Sequence, residues 1–229
     1  MTGKKWKYLF RGPALCLAAC LHLSGGSLPL DTLWFNGSAN GADDAADAAG
    51  ISVIFDEFNV TSPGWLVQDV WSDDTIFSAG PSALTSVGWE IYSDINTTPD
   101  LVASGGGDPT YTLTGRTEFG STEYMFEIAG LDVLLAPGTY WLAVYGNTPD
   151  VVPYIDTTSG TNGVGTPTGS NGDTYQGTSA TGPFSGGGPA VGYSEGLAGI
   201  SGVPEPSPAI SLMVGLLMIA VSRLCRKRA

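Results

Sequence analysis

The chain has 229 residues, 42% of them hydrophobic, enough for one domain of ordinary size once its terminal segments are set aside. Its formal net charge is −13, and the charges are segregated: Lys4, Lys5, Lys7 and Arg11 lie at one end, Arg223, Arg226, Lys227 and Arg228 at the other, with Arg116 alone between them. Every acidic residue falls from Asp31 to Glu205, so the middle of the chain repels phosphate backbones and anionic lipid, and nucleic acid is excluded as an expected partner.

The first segment has the three-part layout of a secretory signal peptide: a basic start, an apolar run from Ala14 to Leu23, then the small residues Ser24-Gly25-Gly26-Ser27. Cleavage is expected between Gly26 and Ser27, giving a signal peptide over 1–26. Leu17-Ala18-Ala19-Cys20 also fits a lipoprotein box in which Cys20 would be acylated, a competing reading of the same stretch.

From 27 to 202 the pattern is that of strands, with short apolar or alternating blocks broken by Gly, Pro, Asn and Asp. Asp43, Asp44 and Asp47, set among Ala and Gly, are expected in a loop or one short helical turn. Ile51, Val53 and Phe55 alternate, as do Trp65, Val67, Asp69 and Trp71. Further strands are expected over Leu84 to Ser93, Leu101 to Ser104, Thr110 to Thr114, Glu118 to Ile128, Leu131 to Leu135 and Thr139 to Tyr145. Ala136-Pro137-Gly138 predicts a tight turn joining the last two in a meander.

Gly, Ser and Thr dominate 157–190, which offers little to bury against the cost of ordering it. A long surface loop is expected there, with one short strand around Thr174-Tyr175-Gln176. Ala190 to Ile200 returns to apolar and small residues and is expected to close the fold. The fold class expected is all-β, an antiparallel, jelly-roll-like β-sandwich ectodomain.

The final segment runs from Val203-Pro204-Glu205-Pro206-Ser207-Pro208 into an apolar stretch over 209–222 and then the basic cluster Arg223, Arg226, Lys227 and Arg228. The prolines forbid a helix before Pro208, since each lacks an N–H and biases its predecessor to extended geometry. A helix from Ala209 to Leu224, at about 1.5 Å per residue, would span roughly 24 Å, a short transmembrane helix. The basic end is expected to stay cytoplasmic and the acidic domain outside.

This tail resembles the PEP-CTERM sorting signal of Gram-negative bacteria, on the order Pro204-Glu205-Pro206, apolar helix, Arg-rich end. The resemblance covers 203–229 and implies that Pro204, Glu205 and Pro206 are the sorting motif, with Arg223, Arg226, Lys227 and Arg228 as the stop. It further implies an exosortase-type membrane enzyme as partner, with this protein as its substrate. The Leu-Ala-Pro-Gly-Thr-Tyr-Trp run, Phe119 to Tyr124 and Trp34-Phe35-Asn36-Gly37 are similar to the β-rich ectodomains of the same class. Relatives often place two cysteines in the loop matching Thr161 to Gly172; this chain has none there.

The domain between the tails lacks Cys, His and Lys, which excludes a Ser-His-Asp triad, a thiol nucleophile, a Schiff base and an ordinary zinc site. Carboxylate chemistry remains, but so many acids offer pairs by chance alone, so a hydrolase ranks third and no catalytic residue is expected. Calcium is the ligand best matched to the composition, with Asp43, Asp44, Asp47, Asp73, Asp74 and Asp108 as candidates near Gly and Asn, although no regular calcium-loop spacing is present. The competing reading is a solvated acidic surface that keeps an exported protein soluble.

Trp71, Trp89 and Trp141 fall in strand patterns and are expected in the core. Trp34 and Trp65, flanked by turn residues, are the candidates for stacking on a sugar. The function expected is a non-enzymatic exported cell-surface or extracellular-matrix protein, reached through an inner-membrane-inserted precursor. Its alternative is an exopolysaccharide-binding or calcium-stabilised adhesion module.

Overall fold

The computed structural model describes residues 31–77, 80–95, 99–147, 151–169, 174–177, 185–186 and 191–203. The signal-peptide site Gly26-Ser27, Cys20, the sorting motif Pro204, Glu205 and Pro206, the apolar run 209–222 and the basic cluster Arg223, Arg226, Lys227 and Arg228 lie outside the described residues. Among the described residues no helix is long and apolar enough to cross a membrane.

The described chain is all-β. Its strands in order are β1 (Asp31–Phe35), β2 (Ala39–Ala46), β3 (Val53–Val60), β4 (Trp65–Thr75), β5 (Val87–Asp94), β6 (Asp100–Gly107), β7 (Thr110–Glu118), β8 (Ser121–Leu135), β9 (Gly138–Gly146), β10 (Tyr154–Thr158), β11 (Tyr175–Gly177), β12 (Ser185–Gly186), β13 (Gly192–Tyr193) and β14 (Glu195–Ser201). Pairing between strands is antiparallel throughout.

One sheet runs β1-β14-β4-β8-β7. Beyond Ser72, the last residue of β4 that β14 reaches, β10 takes over that edge and carries β2 and β13. The other sheet runs β12-β11-β3-β9-β5-β6. The two enclose one core, in which Val67, Val70, Phe126 and Leu197 from the first meet Phe58, Ile91, Leu142 and Val144 from the second. That is a sandwich arrangement: apolar faces of two sheets bury each other because neither can bury its own. A second cluster, Val53, Phe55, Tyr92, Trp141 and Tyr145, fills the opposite face of the β3-β9-β5 sheet.

The predicted strands 101–104, 110–114 and 139–145 sit within β6, β7 and β9, whereas 84–93 is a strand only from Val87 on; the stretch 118–128 is interrupted by the Phe119-Gly120 turn, and its remainder fuses with 131–135 into the single long β8. Asp43 and Asp44 depart from expectation. They lie in β2, a strand without a β-branched or aromatic residue, held by its ladder to β10 rather than by its own propensity. The turn Ala136-Pro137 also departs. β8 pairs with β4 and β7, whereas β9 pairs with β3 and β5, so this turn is a crossover from one sheet to the other and not a hairpin of a meander. Tyr140 braces it, its hydroxyl donating to the Ala136 carbonyl at 3.1 Å.

β4 fixes the long axis. Its Trp65 end is opposite Ser201 and Leu135, and its Thr75 end is opposite Tyr154 and Glu123. β1 begins opposite Gly199, so both limits of the described domain leave from the Trp65 end. Nine residue steps of about 3.3 Å put Asp74 roughly 30 Å from that end.

Candidate functional site

The Thr75 end of β4 is built from carboxyl groups. Neighbouring residues of a strand point to opposite faces, so the consecutive Asp73 and Asp74 send one carboxyl outward and one between the sheets. Both are buried, at 3% and 1% exposure.

On the inner side Asp74 joins Asp47, Asp56 and Glu195. Glu195 of β14 is opposite Ser72, which puts it on the face that Asp74 shares. Asp56 is satisfied on both oxygens: it accepts from Asn36 Nδ2 at 2.7 Å, from the Tyr193 N–H at 2.6 Å and from the Thr174 hydroxyl. Burial still lifts it to about 6, the three donors offsetting part of the rise. Asp47 accepts from the Ile54 N–H at 3.1 Å, and Glu195 accepts from the Asp56 N–H at 3.1 Å. Each keeps one buried oxygen with no donor, and burial followed by neighbouring carboxylates raises both well above the usual range. Asp74 takes the Ser72 hydroxyl at 2.5 Å, leaves Oδ1 without a donor, and is pushed up to about 8 by burial first and then by Asp73 and Glu123.

On the outer side are Asp73, Glu118 at the end of β7, Glu123 in β8 and Asp156 in β10, with Asp44 of β2 beside them. Glu123 is opposite Thr75, and Asp156 is opposite Asp44. Carboxyl oxygens of Glu118, Glu123 and Asp156 lie within 4.8 Å of one another, in a group whose members are all buried. Glu123 and Asp156 are fully inaccessible. Burial and then Glu123 raise Asp156 to about 10; Glu118 is raised as well, chiefly by burial.

Arg116, the lone cation of the central chain, answers this cluster. Its guanidinium reaches Asp73 at 2.7 Å and also pairs with Glu123. Asp73 further accepts from the Ser194 hydroxyl at 2.8 Å and, although burial dominates, rises only to about 6. One guanidinium against four or five carboxyls leaves the excess to be neutralised by protons or by another cation.

Of the sequence-predicted calcium candidates, Asp44, Asp47, Asp73 and Asp74 do gather at this end. Asp43 is exposed, and Asp108 is exposed in a separate hollow of about 310 Å³ with Ser82 and Thr85. The expectation of a solvated acidic surface is corrected for these groups, because Asp47, Asp56, Asp73, Asp74, Glu118, Glu123, Asp156 and Glu195 are all buried.

The expectation that Trp34 and Trp65 stack on a sugar is also corrected. Trp34 is 0% and Trp65 4% exposed; both flank Phe58 in the core, at 5.6 and 6.2 Å between ring centres, so neither offers a face to a ligand. The aromatics that do reach the surface include Phe77, Tyr111 and Phe119; Phe77 and Phe119 meet each other at 6.4 Å, and Phe77 also meets Tyr154 at 5.1 Å. An open groove of about 320 Å³ runs beside Asp73 and Arg116, floored by Trp71 and Phe35 and edged by Thr32, Ser38, Thr112 and Thr114.

Sequence reasoning did not single out Glu118, Glu123 or Asp156; the first two flank the turn between β7 and β8, and the third comes from β10, more than thirty residues later. The available signal was the Asp73-Asp74 pair inside a strand, which forces one acid inward, together with a single Arg in the whole central domain. Comparison of the chain with known families, with curated proteins and with solved structures finds no match.

Proposed function

We propose that the chain is a non-enzymatic cell-surface or extracellular-matrix protein, exported as an inner-membrane-inserted precursor and processed through its C-terminal tail by an exosortase-type enzyme. The observation that carries this reading is the segregation of charge in the sequence: cations confined to the two extremities, with Pro204-Glu205-Pro206 and an apolar run ahead of the last cluster. The fold suits it. β1 and β14 are neighbours, so the segments that precede 31 and follow 203 leave from one end, and the carboxyl-rich end lies roughly 30 Å away along β4.

We read the orders β1-β14-β4-β8 and β3-β9-β5-β6, joined by crossovers between sheets, as a jelly roll. A non-enzymatic role is favoured by the burial of Glu123 and Asp156, two neighbouring carboxyls that sit at 0% exposure, out of reach of a substrate.

The test is fractionation of the producing bacterium. Wild-type protein is expected at the surface or in the matrix, while a variant with Pro204, Glu205 and Pro206 replaced by Ala accumulates in the membrane as an untrimmed precursor. Wild-type protein found in the cytosol would refute the reading.

A second reading, an exopolysaccharide-binding module, rests on the exposed Phe77 and Phe119 beside the half-buried Tyr154 and on the groove floored by Trp71. Aromatic faces beside hydroxyls and a guanidinium are the surface that pyranose rings select. Glycan-array binding that is lost in Phe119→Ala and Thr112→Trp variants would favour it over a purely structural role.

A further inference from the structure

The geometry points to a calcium site at the end of the sandwich remote from the chain's exit, with Glu118, Glu123 and Asp156 as its protein ligands.

The first observation is convergence. Three strands, β7, β8 and β10, each deliver one carboxylate to a spot where no two ligand oxygens are more than 4.8 Å apart. Calcium takes oxygens at about 2.3–2.6 Å, so oxygens on opposite sides of one ion stand about that far apart.

The second, independent observation is that buried oxygens aimed into this spot have no donor. Glu123 is fully buried; the Arg116 guanidinium pairs with its Oε1, and no N–H or hydroxyl donor reaches its Oε2. Asp156 accepts the Thr75 hydroxyl at 3.2 Å on Oδ2, and its buried Oδ1 has no donor. Glu118 uses Oε1 on the Gly41 N–H at 2.7 Å. Asp44, opposite Asp156, adds another buried oxygen without a donor just outside the group. A desolvated carboxylate oxygen without a partner is costly, and a cluster of them is most readily satisfied by a divalent ion.

The donor set selects the ion. It is all carboxylate oxygen, and the sequence from Asp31 to Val203 holds no His or Cys, so zinc and copper have no preferred ligand. Magnesium wants a compact octahedron at about 2.0–2.1 Å and keeps most of its water, which a buried three-carboxylate site does not supply. The site would tie β7, β8 and β10, and through Asp44 also β2, where one arginine cannot balance the charge.

The experiment is calorimetric titration of calcium chloride into the full chain in detergent, stripped beforehand with a chelator, with melting followed in parallel. It does not depend on export or tail processing. We expect one calcium per chain, a Kd of about 10⁻⁴–10⁻³ M, typical of extracellular modules, and weaker binding of magnesium. Melting should rise by several degrees in millimolar calcium. Glu118→Gln, which leaves the Arg116 pair intact, should bind calcium at least about tenfold more weakly, as expected for losing one of few charged ligands. It should also melt above wild type in chelator and below wild type in calcium, a crossing that a purely structural carboxylate would not produce. Asp156→Asn provides the same comparison should Glu118→Gln fold poorly. Absence of heat and of any melting shift in the wild type, or an undiminished response in both variants, would overturn the site.

Discussion

Asp44 of β2 and Asp156 of β10 face each other as a cross-strand pair. Burial, and then the neighbouring Asp43 carboxylate, disfavour the charged form of Asp44, a cost that its amide analogue would not carry. Asp44→Asn should therefore raise the melting temperature of chelator-treated protein slightly, by a degree or two. Denaturant melts of the two proteins in chelator check this, and a lower midpoint for the variant would count against it.

Arg116 is the counter-ion for two buried acids, Asp73 and Glu123, whose side chains are 4% and 0% exposed. Removing one partner of a buried pair leaves the other charge uncompensated, which typically costs about 3–5 kcal/mol; the partial exposure of Arg116 argues for the lower end. Arg116→Met keeps much of the bulk and should lose about 3 kcal/mol by urea melting. A cost below about 1 kcal/mol would mean that the pair is screened like an ordinary surface bridge.

The inner acids set an unusual pH dependence. Burial raises Asp56 from 3.8 to about 6, and raises Asp47 and Glu195 well above the carboxylate range. Around Asp56 stand the carboxyls of Asp47 and Glu195 and the phenol of Tyr193. The native state thus holds protons that the unfolded chain has already released, so stability falls as pH climbs from about 4 through 6, and Asp47 and Glu195 extend the fall beyond that. Chelator-treated protein should melt higher near pH 5 than near pH 8, and Asp56→Asn should flatten the part of the slope between about pH 4 and 6. A melting temperature that rises across this range would contradict the burial of these groups.

Gly199 sits at a register shift between β14 and β4, with φ of +155°, and an added Cβ would run into the Leu66 carbonyl oxygen. Gly50 also has positive φ, +81°, but nothing lies within 4 Å of its missing Cβ. Gly50→Ala should cost about 1 kcal/mol, the conformational strain alone, whereas Gly199→Ala should cost more than about 3 kcal/mol or prevent folding, because backbone must move. Parallel melts of the two variants separate strain from collision.

Phe119 and Gly120 form the two-residue turn between β7 and β8, with φ of +46° and +83°. Positive φ at both positions is what a type I′ turn needs, and Asn-Gly satisfies it far better than Phe-Gly. Phe119→Asn should stabilise the fold by roughly 0.5–1 kcal/mol despite losing the ring contact with Phe77. If the exposed ring serves carbohydrate binding, the same variant should lose affinity for polysaccharide while melting higher.

The sandwich was legible where side-chain bulk marks strands. β4, β5 and β9 carry alternating Trp, Val, Ile, Leu and Tyr that both sequence and structure put inside. β2 was not legible, since Ala39–Ala46 has no residue that favours a strand and takes its shape from β10, itself a short strand at the edge of a Gly-, Ser- and Thr-rich stretch. The partner sheet of each strand was hidden as well, because a Pro-Gly turn reads the same whether it closes a hairpin or crosses a sandwich.

The candidate site was half visible. Asp44, Asp47, Asp73 and Asp74 stood out as acids near small residues, but burial depends on neighbours supplied by distant strands, so Glu118, Glu123 and Asp156 looked like ordinary surface charge. Trp34 and Trp65 misled for a related reason: turn residues flank each of them, yet both rings pack on Phe58 in the core.

The most direct test of the export account is intact-mass analysis of the mature protein isolated from its own host. The account predicts a chain that starts at Ser27 and ends at or near Pro204; a mass corresponding to all 229 residues, with Met1 and Ala229 both retained, would contradict it.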